Sequence, residues 1–334
     1  MTTLGNLTTF QKFTLGVGGG VIAASCIMAI VFPPLSMTQA PKAFLAIEDT
    51  HGKATLLPAP VASVVSETLT HLKPAPSGLT VAQVREKLSY DLDSIRTGDN
   101  AVPRVFLSSI PHDLGDVVET HQRKALFFKS VLPLVLQVNE DIRNQRARLE
   151  NIDAIMSQGE KPSAVDRLWL GMMSERYDVE RDDIAALLHM VDVVPPSLAL
   201  AQAAKESGWG MSRFAREGNA LFGQWTFDVG NLVPDSRDDD KAHMIKSFDT
   251  LIDSVKAYVF NLNTHRAYRE YRTLRVKLRV RNKPLDGRVL AGELHRYSEL
   301  GVEYVNSIRT MISYNKLSRF DDARLNTSKE KPEV

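Results

Sequence analysis

The sequence predicts a mainly α-helical protein of the α+β type, with a small β-hairpin lobe and one N-terminal transmembrane helix. Three observations support this prediction: a run of twenty uncharged residues near the N-terminus, apolar residues at helical spacing through most of the remainder, and one short stretch rich in aromatic and β-branched residues. The chain has 334 residues, of which 43% are hydrophobic and 24% charged. That length and composition are sufficient for one or two globular domains.

The N-terminal run, residues 13–32, predicts a membrane anchor. It follows Lys12 and ends at Pro33-Pro34. As a helix it would be about 30 Å long, which matches the apolar thickness of a bilayer. With Lys12 inside, residues 1–12 are cytoplasmic and the rest of the chain lies outside. A signal peptide cleaved after Ala40 is the alternative, although Pro41 disfavours that cleavage; a lipoprotein signal ending at Cys26 fits less well, since the apolar run continues past it.

Two regions precede the expected main domain. Residues 33–78 are rich in Pro, Ala, Ser and Thr, which indicates a flexible tether. Residues 79–160 are expected to form a helical accessory region. A capping box of Thr80 and Gln83 begins its first helix, and a stripe of apolar residues predicts a long helix over about 118–150.

Residues 161–318 are expected to form the main domain. Amphipathic helices are predicted at 163–176 and 181–190, and Pro195-Pro196 then begins a helix that is apolar on nearly every side and therefore buried. Residues 223–248, broken by Gly230 and Pro234, predict the β-hairpin lobe. Further helices are predicted at 249–263, 265–281, 287–299 and 301–313, before a polar, frayed tail at 319–334.

Charge and metal-ligand residues exclude several functions. The formal net charge is +1, which gives no indication of a nucleic-acid partner. Cys26 is the only cysteine, so no intrachain disulfide can form, and the eight histidines contain no HxxxH pair. We therefore predict no zinc site, no other metal and no cofactor.

Glu206 is the candidate catalytic residue. It ends the predicted buried helix, with Ala203 and Ala199 on its face, and Trp209 follows in a Ser-Gly-Trp-Gly turn. Burial beside an indole would raise the carboxyl pKa, as a general acid at neutral pH requires. The alternative is an ordinary glutamate paired with Lys205 or Arg213 at the helix end.

Several segments resemble the glucosaminidase domain of glycoside hydrolase family 73, and within it the bacterial Bax group. The most specific block runs from Pro195-Pro-Ser-Leu-Ala-Leu-Ala-Gln-Ala-Ala-Lys-Glu-Ser-Gly-Trp-Gly210 to Phe222-Gly-Gln-Trp225. Weaker similarity covers 103–107, 126–136, 255–268 and 297–304, so that the resemblance extends over roughly residues 102–316.

The resemblance implies a lysozyme-like helical fold and a peptidoglycan hydrolase. Such an enzyme cleaves the β-1,4 bond between N-acetylglucosamine and N-acetylmuramic acid, and it would lie in the periplasm, held by a single-pass anchor in the inner membrane. The catalytic glutamate of the family falls on Glu206, and its cleft tyrosine falls on Tyr297. Residues expected to bind the glycan strand are Trp209, Asn219, Phe222, Gly223 and Trp225.

The second catalytic group is left open. Glycoside hydrolysis usually requires a nucleophile or a base beside the acid. No glutamate lies between Glu217 and Glu270, but the β lobe contains five aspartates, from which Asp239 is chosen as the candidate. The alternatives are that Asp238 to Asp240 form a solvated loop, and that the 2-acetamido group of the substrate acts as the nucleophile.

Residues 266–288 form a dense basic stretch. It is expected either to be a solvated helix face or to capture the anionic groups of the cell wall. Tyr258 nearby is expected to belong to the core, with sugar stacking as the alternative.

Two other functions remain open. A lytic transglycosylase also uses one glutamate on a lysozyme-like fold, although Phe222-Gly-Gln-Trp225 lacks the Gly-Leu-Met-Gln continuation typical of those enzymes. A non-catalytic wall-binding or scaffold protein could also retain the cleft.

Overall fold

The computed structural model describes residues 79–226 and 244–327. The predicted anchor and tether, and most of the predicted β lobe, lie outside these residues. Within the described ranges, no helix is both long enough and apolar enough to cross a bilayer.

Helices account for most of the described chain, so the prediction of a mainly helical protein is confirmed. They are α1 Val81–Lys87, α2 Leu92–Thr97, α3 Thr120–Ser157, α4 Ala164–Tyr177, α5 Ile184–Met190, α6 Pro196–Glu206, α7 Arg213–Gly218, α8 Leu251–Thr264, α9 Arg269–Val280, α10 Gly287–Leu290 and α11 Val302–Tyr314. Short 3₁₀ helices lie at Leu114–Asp116, Arg266–Tyr268, Ala291–Glu293 and Leu317–Phe320. The strands β1 Trp225–Thr226 and β2 Met244–Ile245 pair antiparallel.

The predicted capping box begins α1. The side chain of Thr80 accepts a hydrogen bond from the backbone N–H of Gln83, and the side chain of Gln83 accepts one from the backbone N–H of Thr80. Two backbone donors at the start of the helix, which have no partner within the helix, are satisfied in this way.

Helix α3 is the longest element, with 38 residues, and it runs without interruption through Pro133. Because proline has no N–H, the carbonyl of Lys129 one turn earlier loses its helical donor. The hydroxyl of Tyr90 donates to that carbonyl at 2.9 Å. The helix also extends seven residues beyond the predicted end at 150, since Leu149 and Ile152 are fully buried there.

Helix α6 lies at the centre of the core, as predicted. Its residues from Pro196 to Ala204 are all buried, and it packs against α3, α10, α11 and the 3₁₀ helix Leu317–Phe320. Gly287 at the start of α10 lies so close to this helix that an added Cβ would be 2.1 Å from Ser197 Oγ. Residues before and after position 160 contribute to the same hydrophobic core.

The predicted frayed tail is wrong for residues 319–327. Asp321 caps the start of α6, because its two carboxylate oxygens accept from the backbone N–H and the hydroxyl of Ser197, each at 2.8 Å. Leu325 is buried and forms a parallel bridge with Val102. The ordering comes from partners more than a hundred residues away, which a local reading of polarity does not detect.

The predicted helix 287–299 is also wrong in its length. The α-helix ends at Leu290, and a 3₁₀ turn continues only to Glu293. Gly292 interrupts the helical propensity, and its missing side chain admits Arg309, whose Nη2 would lie 2.6 Å from an added Cβ. The chain after this turn is therefore free to bring Tyr297 towards α6.

Candidate active site

Glu206 is the last residue of α6, at the end of the buried part of the helix. Its neighbours on the helix face, Ala203 and Ala199, are fully buried, and the glutamate itself is only partly exposed. The small side chains leave space beside the carboxylate, as the sequence indicates.

A chain of hydrogen bonds leads from the core to Glu206. The Tyr258 hydroxyl donates to Gln202 Oε1 at 2.7 Å. Gln202 Nε2 donates to the Tyr304 hydroxyl oxygen at 2.9 Å, and the Tyr304 hydroxyl donates to Glu206 Oε1 at 2.9 Å. Gln202, Tyr258 and Tyr304 are each at most 1% exposed, so water does not compete for these bonds.

This chain distinguishes the two carboxyl oxygens of Glu206. Because Tyr304 accepts from Gln202, its own hydrogen points at Oε1, which must act as an acceptor. A proton bound by Glu206 is therefore on Oε2. An added Cβ at Gly223 would lie 4.0 Å from Oε2, so this oxygen faces the 219–223 turn.

Burial raises the pKa of Glu206 to about 7, against the smaller lowering effects of the Tyr304 hydrogen bond and of Lys205. Desolvation disfavours the charged carboxylate, and the two favourable contacts offset only part of that cost. A carboxyl group with this pKa holds a removable proton near neutral pH.

Tyrosine rings form one wall beside Glu206. Tyr297 stacks on Tyr304 with ring centroids 5.4 Å apart and planes at 10°, and Tyr268 lies 5.9 Å from Tyr297. Burial raises the pKa of all three hydroxyls, so they remain neutral. This wall places apolar ring surface around the carboxyl group.

The 219–223 turn forms another side of the site. Asn219 has a positive φ of 52°, and its Nδ2 donates to the carbonyls of Phe248 and Asp249, both at 3.1 Å. Phe222 stacks on Tyr258 with centroids 3.8 Å apart. Gly223 has a φ of +59°, a conformation that glycine adopts without cost.

The Ser-Gly-Trp-Gly turn after Glu206 directs Trp209 away from the position expected for it. Gly208, Trp209 and Gly210 all have positive φ. The indole ring packs edge-on against two rings of α3, with centroid separations of 6.0 Å to Phe127 and 5.3 Å to Phe128. Lys124 Nζ lies 4.5 Å from the indole centroid. Burial is the largest cause of the raised pKa of Glu206, and the contribution of the indole to that burial stays a prediction.

Comparison with known proteins places this geometry in a family. A family model described as "Glucosaminidase: Mannosyl-glycoprotein endo-beta-N-acetylglucosaminidase" matches residues 183–317. The "Protein bax" of Escherichia coli (strain K12) is 31% identical over 240 residues, which cover 70% of this chain and 81% of that protein.

The chain belongs to the Bax-like glucosaminidases. It is therefore a glycoside hydrolase, and the predicted family and enzyme class are confirmed. A crystal structure of the catalytic domain of the autolysin Auto from Listeria monocytogenes is 21% identical and covers 52% of this chain and 96% of that domain. Its TM-score of 0.30 is too low to say anything about shape.

The glucosaminidase match includes every site residue described above. Tyr297 stacks on Tyr304 beside Glu206, and its hydroxyl is 3.4 Å from the carbonyl oxygen of Phe222; Tyr304 is the tyrosine that donates a hydrogen bond to Glu206. Sequence reasoning missed Tyr304, Gln202 and Tyr258 as a set. The available signal was weak: Tyr304 ends the similar segment 297–304, and Gln202 is the one polar side chain among the apolar residues 198–204.

The other predicted substrate-binding residues have mixed positions in this glucosaminidase. Asn219 and Phe222 are each 2% exposed, so their side chains lie beneath the surface of the site. The backbone of Trp225 pairs with Ile245, and nothing is described of its indole. Asp239 and the other aspartates of the 227–243 segment lie outside the described residues.

The basic stretch 266–288 is only partly a surface. Arg275 is fully buried and donates to Asn263 Oδ1 at 2.7 Å, while Arg279 forms an ion pair with the buried Asp192 at 2.6 Å. Arg272 is 4% exposed and donates to the carbonyl of His265 at 2.9 Å. All three side chains hold α9 to its neighbours, and the buried Arg272 and Arg275 are not available to a polymer.

Proposed function

We propose that this enzyme is a peptidoglycan hydrolase that cleaves the β-1,4 bond between N-acetylglucosamine and N-acetylmuramic acid, with Glu206 as the general acid. Membership of the glucosaminidase family supports a glycosidic bond of N-acetylglucosamine as the target. The observation that carries the proposal is the Glu206 carboxyl group, whose pKa is raised to about 7 and whose proton-bearing oxygen faces the 219–223 turn.

In this mechanism Glu206 Oε2 delivers its proton to the glycosidic oxygen as the bond breaks. Tyr304 keeps Oε1 occupied as an acceptor and stabilises the carboxylate that results from proton transfer. The tyrosine wall and the 219–223 turn hold the carboxyl group between them. Protonation of the leaving group by a positioned acid typically contributes about 10²- to 10⁴-fold to the rate.

We propose that the second catalytic group, the nucleophile or the base, comes either from the substrate or from the 227–243 segment. Either the 2-acetamido group attacks the anomeric carbon, or Asp239 activates a water molecule. We propose that this segment forms the β-hairpin lobe of a lysozyme-like cleft, because the β1–β2 pair brings its two ends together.

We also propose a location for the enzyme. Residues 13–32 would anchor it in the cytoplasmic membrane and residues 33–78 would tether it, with the catalytic part in the periplasm. A flexible tether of this length has an end-to-end distance of about 35–40 Å, which lets the enzyme sample the wall near the membrane. Exposed cations of the 266–288 stretch would help to capture the polymer.

The substitution Glu206→Gln tests the proposal. It retains the size and polarity of the side chain but has no acidic proton, so turnover of purified sacculi should fall by about 10²-fold or more. Glu303→Gln, an exposed glutamate beside Tyr304, is the matched control and should retain activity. Thermal unfolding should show no loss of stability in either variant.

Mass spectrometry of the digested sacculi identifies the reaction. Reducing N-acetylglucosamine ends support the proposal, whereas anhydro-muramic ends would indicate a lytic transglycosylase. Absence of products from the wild type would favour a binding or scaffold protein. Release of sugar ends by folded Glu206→Gln at the wild-type rate would refute the role of Glu206.

A further inference from the structure

A cavity lies on the side of α8 that faces away from Tyr258. Its volume is about 510 Å³, and it is lined by residues of α3, of the end of α4 and of α8. The α8 residues that line it include Lys256 and Phe260, each two positions from Tyr258 and therefore about 200° around the helix from it. The cavity is thus separate from the hydrogen-bond chain of the active site, and its volume is within the range of small-ligand sites.

One wall of this cavity is cationic and aromatic. The guanidinium of Arg176 lies 5.4 Å from the ring centroid of Phe260 and 5.9 Å from that of Tyr177. These two rings are themselves 5.4 Å apart, so they provide a firm base for the guanidinium. Lys256, one turn before Phe260, adds a second positive charge.

The facing wall is acidic and rich in amides. Asp141, Asn144 and Gln145 line it from one face of α3. Asp141 Oδ1 accepts from Gln137 Nε2 at 2.9 Å, and the side-chain oxygen of Gln145 is buried without a hydrogen-bond partner in the described part of the chain.

The charges on the two walls do not pair with each other. Among the residues that the structure describes, neither Asp141 nor Arg176 forms an ion pair. Opposite charges held on opposite walls of one groove, with amides beside the acidic one, complement a ligand that carries both an ammonium and a carboxylate group.

We propose that this groove binds a short zwitterionic peptide. Its carboxylate would pair with Arg176 and Lys256, its ammonium group with Asp141, and its amide groups with Asn144 and Gln145. The floor, formed by Ile142 and Val259, would receive a small apolar side chain. If the proposed function holds, the peptide stems of the wall are ligands of this kind; that source rests on the proposed function, whereas the site does not.

Titration of the full chain with the stem tripeptide L-alanyl-γ-D-glutamyl-meso-diaminopimelate, followed by calorimetry, tests the proposal. Two modified probes, with the amines acetylated or the carboxyls amidated, should each bind the wild type about tenfold more weakly. Asp141→Asn should remove the effect of acetylation, and Arg176→Gln the effect of amidation. Asp153→Asn and Lys87→Gln, exposed charges elsewhere on α3 and on α1, should bind all three probes as the wild type does.

Three results would overturn the proposal: no saturable binding of the tripeptide at millimolar concentration, equal affinity of the capped and uncapped probes, or unchanged affinity in both groove variants. Equivalent binding of free N-acetylglucosamine would assign the groove to sugar instead. Glu206→Gln should bind the tripeptide like the wild type. Failure of the glycosidase assay therefore refutes the proposed function, whereas failure of the peptide titration refutes only the proposed peptide site.

Discussion

Removal of the Tyr304 hydroxyl is the most direct perturbation of the active site, because it acts on Glu206 without changing it. In Tyr304→Phe the ring and its stack on Tyr297 are retained, whereas the 2.9 Å hydrogen bond to Glu206 Oε1 is lost. Gln202 Nε2 also loses its acceptor. The variant therefore separates the electrostatic role of the hydroxyl from the packing role of the ring.

The expected magnitude follows from the two lost bonds. A buried donor left without a partner costs about 1–3 kcal/mol, so the free energy of unfolding should decrease by that amount. The bond from Tyr304 lowers the pKa of Glu206, and its loss should raise that pKa above about 7. Hydrogen bonds to charged groups contribute about 1.5–3 kcal/mol, and 1.36 kcal/mol corresponds to one pKa unit. The alkaline limb of the rate profile should therefore move up by about one to two pH units.

The assay is the pH dependence of kcat/KM on solubilised glycan strands, measured beside thermal unfolding. Tyr314→Phe is the matched control, since Tyr314 is on the same helix but 79% exposed, and it should leave both measurements unchanged. Tyr258 is two hydrogen bonds further from the Glu206 carboxylate than Tyr304 is. Tyr258→Phe should therefore move the alkaline limb in the same direction, by a smaller number of pH units.

A folded Tyr304→Phe variant whose alkaline limb stays in place, or moves to lower pH, would refute the reasoning. Either result would mean that the hydroxyl does not stabilise the charged form of Glu206.

Three further predictions address other parts of the molecule. Gly223→Ala should reduce turnover at least tenfold, because its methyl group, in ordinary contact with Glu206 Oε2 at 4.0 Å, would occupy the side of the carboxyl group that the proposed mechanism leaves for the glycosidic oxygen. Gly98→Ala, where φ is also positive but the surroundings are open, should show only the backbone cost of about 1–2 kcal/mol in thermal unfolding and normal turnover. Burial raises the pKa of Asp321 from 3.8 to about 6, so folding favours its protonated form, and the stability gained is present below about pH 4 and lost as pH rises through 6. Asp321→Asn should abolish this pH dependence of the free energy of unfolding in urea. A pH dependence that persists in the variant would contradict the assignment to Asp321. Neutralising four exposed cations of the basic stretch should weaken binding to sacculi, more at low salt than at high salt; they are Arg269, Lys277, Arg281 and Lys283. Collapse of turnover with unchanged binding would exclude a capture role for these cations.

The sequence by itself determined the features that depend on local pattern. Apolar spacing predicted most helices to within a few residues, and the Pro195-Pro196 start and apolar composition predicted that α6 is buried. The position of Glu206 at its end, among small side chains, followed from the same pattern. These predictions succeed because helical periodicity and capping are properties of neighbouring residues.

Only the tertiary structure decided which side chains act on Glu206. Tyr304 is 98 residues from it in sequence, and Gln202 and Tyr258 join the chain of bonds through the packing of α6 against α8 and α11. The same holds for Asp321, which caps α6 from 124 residues away, and for Arg275, whose charge is satisfied inside the core. A polar residue in sequence carries no record of its distant partner, because hydrogen bonds and burial are fixed by three-dimensional packing, whereas periodicity records only which face of its own helix the residue occupies.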